Sequence, residues 1–122
     1  MRELWYLATA YSKDPEGITH AFDLAVRTRG MLIKAGIPVF SPIVHSHPVA
    51  VVCNIDPFDH SFWLASEEPI LESATGLIML MSSGWAQSYG MNKEFEAFRA
   101  AGKPVIYMEP GIIPPELVKT IY

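Results

Sequence analysis

A serine, a glycine and two glutamates stand close together between residues 88 and 96, and their types fit anion binding and carboxylate chemistry. Ser88 and Gly90 occupy the expected passage from a loop to a helix, where unpaired N–H groups and the helix dipole favour a phosphate or carboxylate. Glu94 and Glu96 follow, and residues two apart lie on different sides of a helix. A carboxylate can be a nucleophile, but acidic residues also complement a helix start, so both interpretations stand for each glutamate.

Alternating strands and helices carry these residues. Apolar runs predict strands at 4–8, 37–40, 76–81 and 104–108. Asp14 as cap and Pro15 at the first position predict a helix that runs to about Lys34 and ends at Gly36. Further helices are predicted at 61–73, with an interruption near Pro69, and at 91–101. Residues 41–48 are predicted to form a loop, and 49–60 a connection that includes a helical turn.

This order of elements predicts a small doubly wound α/β fold, flavodoxin-like or Rossmann-like, with a parallel sheet of four to five strands. With 122 residues, the chain is predicted to be a single domain over 1–122. Ligands bind at the C-terminal strand ends of such sheets. That rule gathers the loops 9–13, 41–48 and 82–90, and the segment after residue 108, into one predicted site.

Composition excludes several classes of protein. Half of the residues are hydrophobic and 18% are charged, which excludes a disordered chain. A net charge of −4 argues against polymeric nucleic acid as a partner, whereas one nucleotide can bind at a helix terminus. Cys53 is the single cysteine, so no internal disulfide is expected. The sequence has neither a signal peptide pattern nor a long apolar span, which predicts a cytoplasmic protein without a membrane partner.

Histidines and aspartates between residues 45 and 60 imitate a metal site. His45 and His47 lie two apart, and Asp56, Asp59 and His60 follow. A His-x-His pair without a clear third ligand is weak evidence, so we predict no metal and no cofactor. His45 is expected to contact phosphate or base, and His47 to stabilise its loop through hydrogen bonds.

Four segments together resemble a known family over nearly the whole chain. They are Tyr6-Leu-Ala-Thr-Ala-Tyr-Ser12, Phe40-Ser-Pro-Ile-Val-His-Ser-His-Pro48, Asp59-His-Ser-Phe-Trp63, and Ser88-x-Gly90-x-x-x-Glu94 before Gly102-Lys-Pro-Val105. Their order and spacing are similar to the nucleoside 2-deoxyribosyltransferase superfamily, and most to its short bacterial and phage branch. The resemblance implies a nucleotide N-glycosidase or a deoxyribosyltransferase.

The resemblance also implies residue roles. In that family the nucleophilic glutamate stands nine residues before the lysine of a Gly-Lys pair, and Glu94 holds that position here. Glu96 has no such counterpart. A serine six residues before the nucleophile accompanies nucleoside monophosphate substrates, and Ser88 matches it. The usual proton-donating aspartate is replaced by Glu67, with the adjacent Glu68 as the alternative.

Further residues are expected to form the site around the carboxyl groups of Glu94 and Glu67. Tyr6 matches a first-strand tyrosine that orients the nucleophile or lines the sugar site. The remaining expected substrate contacts are Ala8, Tyr11, Ser12, His45, Ser88 and Gly90. The resemblance further implies a homodimer or higher homo-oligomer, in which segment 109–122 of a neighbouring subunit is a candidate to complete the site.

The predicted function is therefore cleavage of the N-glycosidic bond of a nucleoside 5′-monophosphate, by hydrolysis or base transfer. Two rival classes remain open. The first is a noncatalytic nucleotide-binding or sensor module on the same fold, which the replacement of the usual aspartate by Glu67 favours. The second is an interaction protein whose Met-rich and aromatic surfaces serve assembly.

Overall fold

A computed structural model of the chain describes residues 3–118, and these form a wholly parallel four-stranded sheet with the order β2-β1-β3-β4. The strands are β1 (Trp5–Ala8), β2 (Val39–Phe40), β3 (Gly76–Leu80) and β4 (Val105–Met108). The α-helices of this part are α1 (Ile18–Lys34), α2 (Pro42–Cys53), α3 (His60–Ser73) and α4 (Tyr89–Ala100). The predicted doubly wound α/β fold is confirmed. None of the described helices is both long and apolar enough to span a bilayer.

The two central strands are completely buried because each of their faces meets a separate apolar layer. Side chains alternate along a strand, so odd and even residues of β1 enter different layers. Trp5 and Leu7 join the layer that includes Leu32 of α1, whereas Tyr6 and Ala8 join the layer that includes Phe98 of α4. The sheet thus fixes Tyr6 on the side of the helix that carries Glu94.

Gly76 begins β3 directly opposite Trp5 in the parallel ladder. A Cβ atom at this position would meet the Trp5 ring and would lie 2.8 Å from the carbonyl oxygen of Pro104. The missing side chain therefore allows the indole to lie across the start of the strand, and only glycine fits this approach.

The prediction for the start of α1 is wrong. The helix begins at Ile18, and Asp14 does not cap it. The Asp14 carboxylate instead accepts a hydrogen bond from the Glu16 N–H at 2.8 Å, which closes a local turn. Gly17 then adopts φ 95°, a positive value that is not helical, so the helix begins only at the next residue. The predicted end is confirmed, because Gly36 lies just beyond the helix with φ 82°.

The loop predicted at 41–48 is also wrong, because these residues begin α2. Ser41 caps the helix by accepting a hydrogen bond from the Val44 N–H at 3.2 Å, and Pro42 occupies the first turn, where its missing N–H costs nothing. The helix continues past Pro48 to Cys53, so the connection predicted at 49–60 shrinks to residues 54–59. The Ser41-Pro42 pair suits a helix start as well as the loop that was predicted at 41–48.

The later elements follow the predictions more closely. One exception is the interruption predicted near Pro69, which is wrong because α3 continues through this residue to Ser73. Ser88 caps α4. Within the segment 109–122, Leu117 packs into the core of its own chain. Residues 119–122 of that segment lie outside the described residues, and its expected role in a neighbouring site stays a prediction.

Candidate active site

A cavity lies at the C-terminal ends of β1, β2 and β3, where the fold gathers the loops and helix starts that follow these strands. Its enclosed volume is about 60 Å³. Small-molecule pockets usually measure about 300–1,000 Å³, so a ligand of nucleotide size needs this cavity to open. The lining residues are Thr9, Tyr11, Ser12, Pro42, Ile43, Ser46, Pro57, His60, Trp63, Leu64, Glu67, Ser88, Gly90 and Glu94.

Two buried carboxyl groups share this cavity. Glu67 comes from α3 and is 3% exposed, and Glu94 comes from the second turn of α4 and is 5% exposed. Burial raises the pKa of Glu67 from its ordinary value of 4.5 to about 8. The pKa of Glu94 is also raised well above its ordinary value, first by burial and then by the negative charge of Glu67. Because the charge of one carboxyl group raises the pKa of the other, the two influence each other's release of protons.

Tyr6 approaches the pair from β1. Burial and the nearby charges of Glu94 and Glu67 raise the pKa of its phenol, so the phenol stays protonated. A hydrogen bond from the phenol to Glu94 lowers the pKa of that carboxyl group against the effect of burial. The contact is not of ideal geometry, because the Tyr6 hydroxyl has no well-formed hydrogen bond among the described residues. The phenol nevertheless favours the ionised form of Glu94.

Three buried side-chain atoms of the described residues lack a hydrogen-bond partner, and all belong to this site or its floor. They are the hydroxyl oxygens of Tyr6 and Thr9 and the Oε2 atom of Glu67. Buried polar atoms are normally satisfied, and each missing partner costs about 1–3 kcal/mol. Thr9 and Glu67 also line the cavity. The Thr9 hydroxyl and the Glu67 Oε2 atom are therefore available to a ligand or to water, whereas the Tyr6 hydroxyl faces Glu94.

Helix starts supply the positive potential of the cavity, since no lysine or arginine is among its lining residues in the described chain. The hydroxyl of Ser88 accepts from the Met91 N–H at 3.3 Å, and its carbonyl accepts from Asn92. The N–H groups of Tyr89 and Gly90 have no intrahelical partner at this position. A Cβ atom added to Gly90 would meet open space. The start of α4 thus faces room in which an anion can bind.

Tyr11 is held in the cavity wall by a buried histidine. Its hydroxyl lies 2.6 Å from Nδ1 of His47, and the His47 ring stacks on Phe22 with ring centres 4.6 Å apart. Burial lowers the pKa of His47, and a neutral imidazole can accept the phenolic proton. His47 therefore stabilises a contact of the site through a hydrogen bond, from a helix instead of the predicted loop.

Most of the residues predicted for the site are brought together. Six of them line the cavity, namely Glu94, Glu67, Tyr11, Ser12, Ser88 and Gly90, and Tyr6 lies against Glu94. Ala8 is completely buried within β1 and does not line the cavity. His45 is exposed on α2, with its ring 5.7 Å from that of Phe40, and is likewise not part of the lining.

The alternative glutamates and the possible metal ligands lie outside the cavity or apart from one another. Glu68 is exposed and lies outside the cavity. Glu96 is exposed and forms a surface ion pair with Lys93 at 3.8 Å. The histidines and aspartates at 45–60 do not gather into a ligand set. The group of possible metal ligands in the described part is instead Asp14, Glu16 and His20, at the turn before α1.

Four polar or aromatic lining residues were not among the predicted site residues, namely Thr9, Ser46, His60 and Trp63. Thr9 had a usable signal, because it is the first residue after a buried strand and falls within a loop assigned to the site. Ser46 also falls within a loop assigned to the site, but its inward direction depends on the helix that forms there.

Comparison with known families gives one finding that covers most of the chain. A family model described as a domain of unknown function, DUF1937, matches residues 3–110. No curated protein matches the chain. The match covers the strands, the helices and every residue that lines the cavity.

Proposed function

The chain belongs to the DUF1937 family, and we propose that it cleaves the N-glycosidic bond of a nucleoside 5′-monophosphate, with Glu94 as the nucleophile. One observation carries the proposal: two buried carboxyl groups share a cavity at the C-terminal edge of a parallel sheet, and a buried phenol lies against one of them. Strongly perturbed carboxyl groups in a cleft are typical of acid–base and nucleophilic sites. The resemblance to nucleoside 2-deoxyribosyltransferases supports the same chemistry.

The reaction assigns different tasks to the two carboxyl groups. The Glu94 carboxylate attacks C1′ of the sugar as the bond from C1′ to the base nitrogen breaks. Protonated Glu67 gives its proton to the departing base, and the sugar remains bound to Glu94 as an ester. Water then attacks C1′ and releases the sugar phosphate, while the Glu67 carboxylate accepts the proton of the water.

The substrate phosphate is expected at the start of α4. Ser88 and the N–H groups near Gly90 offer hydrogen-bond donors, and the helix dipole favours a negative group there. Thr9, which lines the same cavity, has a buried hydroxyl without a partner. Positive potential from backbone groups instead of lysine or arginine suits a small anion that must leave after each turnover.

The proposed activity depends on pH because it requires one carboxyl group to be ionised and the other to be protonated. The productive form has Glu94 ionised and Glu67 protonated, and the hydrogen bond from Tyr6 favours this form. Because the pKa of Glu67 lies at about 8, the rate should fall above that pH as the acid loses its proton. In Glu67→Gln this alkaline limb should disappear.

A second candidate is a nucleotide-binding module without chemistry. Burial raises the pKa of both carboxyl groups, which favours the protonated form of Glu94, and a protonated carboxyl group is a poor nucleophile. Such a module would gain thermal stability from a nucleotide and would release no base.

One experiment separates these candidates. The protein is incubated with a panel of nucleosides and their 5′-monophosphates, and free base and sugar phosphate are quantified by chromatography. We expect product from monophosphates and at least a roughly 1,000-fold lower rate in Glu94→Gln. Glu96→Gln is the matched control and should keep the wild-type rate. Thermal stabilisation by a nucleotide without any product would favour the binding module, and equal turnover by Glu94→Gln would exclude Glu94 as nucleophile.

A further inference from the structure

A second and wider groove lies between α3 and α4, with a volume of about 700 Å³. Its apolar lining includes Leu64 and Leu71 of α3 and Phe98 of α4. Glu68 lies on the α3 side and Lys93 on the α4 side. An apolar groove with charged edges is typical of a surface that binds another protein.

Helix α3 lacks the burial that normally stabilises a surface helix. Across its fully described length, Glu67 is the one buried residue. The apolar residues Leu64, Ile70 and Leu71 are only half-buried, and Phe62 is 47% exposed. Helices in proteins are stabilised mainly by packing of an apolar face, and a carboxyl group is no substitute for it. The outer surface of α3 is therefore incomplete in the single chain.

The charges around the groove indicate what covers it. Glu68 and Glu72 make the α3 edge acidic, whereas Lys93 and Lys103 lie on the α4 side. Among the described residues no ion pair crosses the groove, and Lys93 pairs at the surface with Glu96. Lys103 already reaches across the groove, where its Nζ atom donates a hydrogen bond to the Glu72 backbone carbonyl at 2.5 Å. Glu68 on one edge and Lys93 on the other leave opposite charges for another surface of the same pattern.

Two orientations of a symmetric pair can be compared. A two-fold axis parallel to the groove lays α3 of each copy over α4 of the other, so that acidic edges face basic edges. An axis across the groove would lay α3 over α3, with like charges opposed. We propose that a second copy of this chain covers the groove between α3 and α4, with the two-fold axis parallel to the groove.

Helix α3 connects this interface to the cavity of the candidate active site. Leu64 lines both the groove and the cavity, and Glu67 lies one turn further along the same helix. Packing of a second copy against Leu64 and Leu71 fixes the helix that carries Glu67. The interface itself is independent of the proposed function, whereas its consequence for catalysis rests on that function.

Charge reversal tests the proposed interface, and recovery of association in a mixture of two variants cannot result from a folding defect. The variants Glu68→Lys and Lys93→Glu each place like charges twice across the proposed interface. When the two variants are mixed, the heterodimer regains opposite charges at both places. Glu109→Lys is the matched control, because Glu109 is exposed after β4, outside the groove. Circular dichroism and thermal unfolding verify that each variant is folded.

Sedimentation velocity over a range of concentrations measures association without any need for turnover. We expect a wild-type dimer, at least about tenfold weaker association of each variant alone, and recovery in the equimolar mixture. The control should associate as wild type does. Monomers at every concentration, or variants that dimerise unchanged, would overturn the interface.

Hydrogen exchange tests the link to the cavity. Amides of α3 should exchange more slowly in the dimer than in the dissociated Glu68→Lys variant, whereas amides of β1 and β3 should not change. Equal exchange of α3 in both states would show that the second copy does not fix Glu67. Because both measurements work without substrate, failure of the glycosidase activity leaves their outcomes interpretable.

Discussion

The buried carboxyl group of Glu67 should make the protein less stable as the pH rises, and Glu67→Gln should remove much of this dependence. In the folded chain the pKa of Glu67 is raised to about 8, whereas its ordinary value is 4.5. Below pH 4.5 the group is protonated in both the folded and unfolded states. Between these values the unfolded chain releases a proton that the folded chain retains, so the free energy of unfolding falls with rising pH.

The magnitude follows from the two pKa values. One pKa unit is worth about 1.4 kcal/mol, so a rise from 4.5 to about 8 corresponds to a loss of about 5 kcal/mol that is complete above pH 8. Glutamine has nearly the same shape and does not ionise. Without the charge of Glu67, the pKa of Glu94 also falls, because that charge contributes to raising it. Both effects flatten the dependence of stability on pH.

Urea unfolding at pH 5, 7 and 9 measures this difference at a fixed protein concentration. The glutamine amide adds a constant cost of about 1–3 kcal/mol if its N–H groups stay unpaired. The informative quantity is therefore the change in unfolding free energy between pH 5 and pH 9, since a constant cost cancels. Glu68→Gln is the matched control on the same helix, because its side chain is exposed.

We expect wild type and Glu68→Gln to lose several kcal/mol between pH 5 and pH 9, about 4 kcal/mol for the Glu67 group alone, since part of its full loss has already occurred at pH 5. Glu67→Gln should lose much less. Parallel curves for wild type and Glu67→Gln would refute the reasoning, because they would mean that Glu67 titrates alike in the folded and unfolded chains. Curves that rise with pH would refute the sign of the effect.

Two further predictions concern packing. Gly76→Ala should lower the unfolding free energy by about 1–3 kcal/mol because its Cβ overlaps neighbouring atoms. Gly30→Ala within α1 is the control: its Cβ meets nothing within 4 Å and should raise the unfolding free energy by about 0.5–1 kcal/mol. Equal melting temperatures of the two variants would contradict this expectation. Tyr11→Phe removes the hydrogen bond to His47 and should cost about 1–3 kcal/mol in urea unfolding. Exposed Tyr107→Phe is its control, and equal losses in both would contradict a special role for the buried bond.

Local sequence signals predicted the strands and helices correctly wherever a signal is compatible with only one kind of structure. The run Gly76–Leu80 is apolar throughout and forms a strand buried on both faces, as predicted. Gly36 ends α1 because positive φ is easy only for glycine. Signals with two meanings failed. Asp14 suits a helix cap and a local turn, and the Ser-Pro pair at 41–42 suits a turn and a helix start.

The two glutamates of the 88–96 segment show the same limit for the site. Their spacing predicted that they face different ways, but local sequence did not decide which one faces inward. Phe95, Phe98 and Ala101 stand at helical spacing and would suit an inward face, whereas the buried residues of α4 are Met91, Glu94 and Phe98. The helix is rotated by its packing on the sheet, and this rotation buries Glu94.

The sequence by itself determined the alternation of strands and helices, the parallel sheet and the edge where its loops meet, because periodicity and chain punctuation are local properties. Only the tertiary structure decided that Glu94 and Glu67 share a cavity, with Tyr6 against Glu94. Their raised pKa values arise from burial and mutual charge. Both depend on distances between elements far apart in the chain, which no local pattern records.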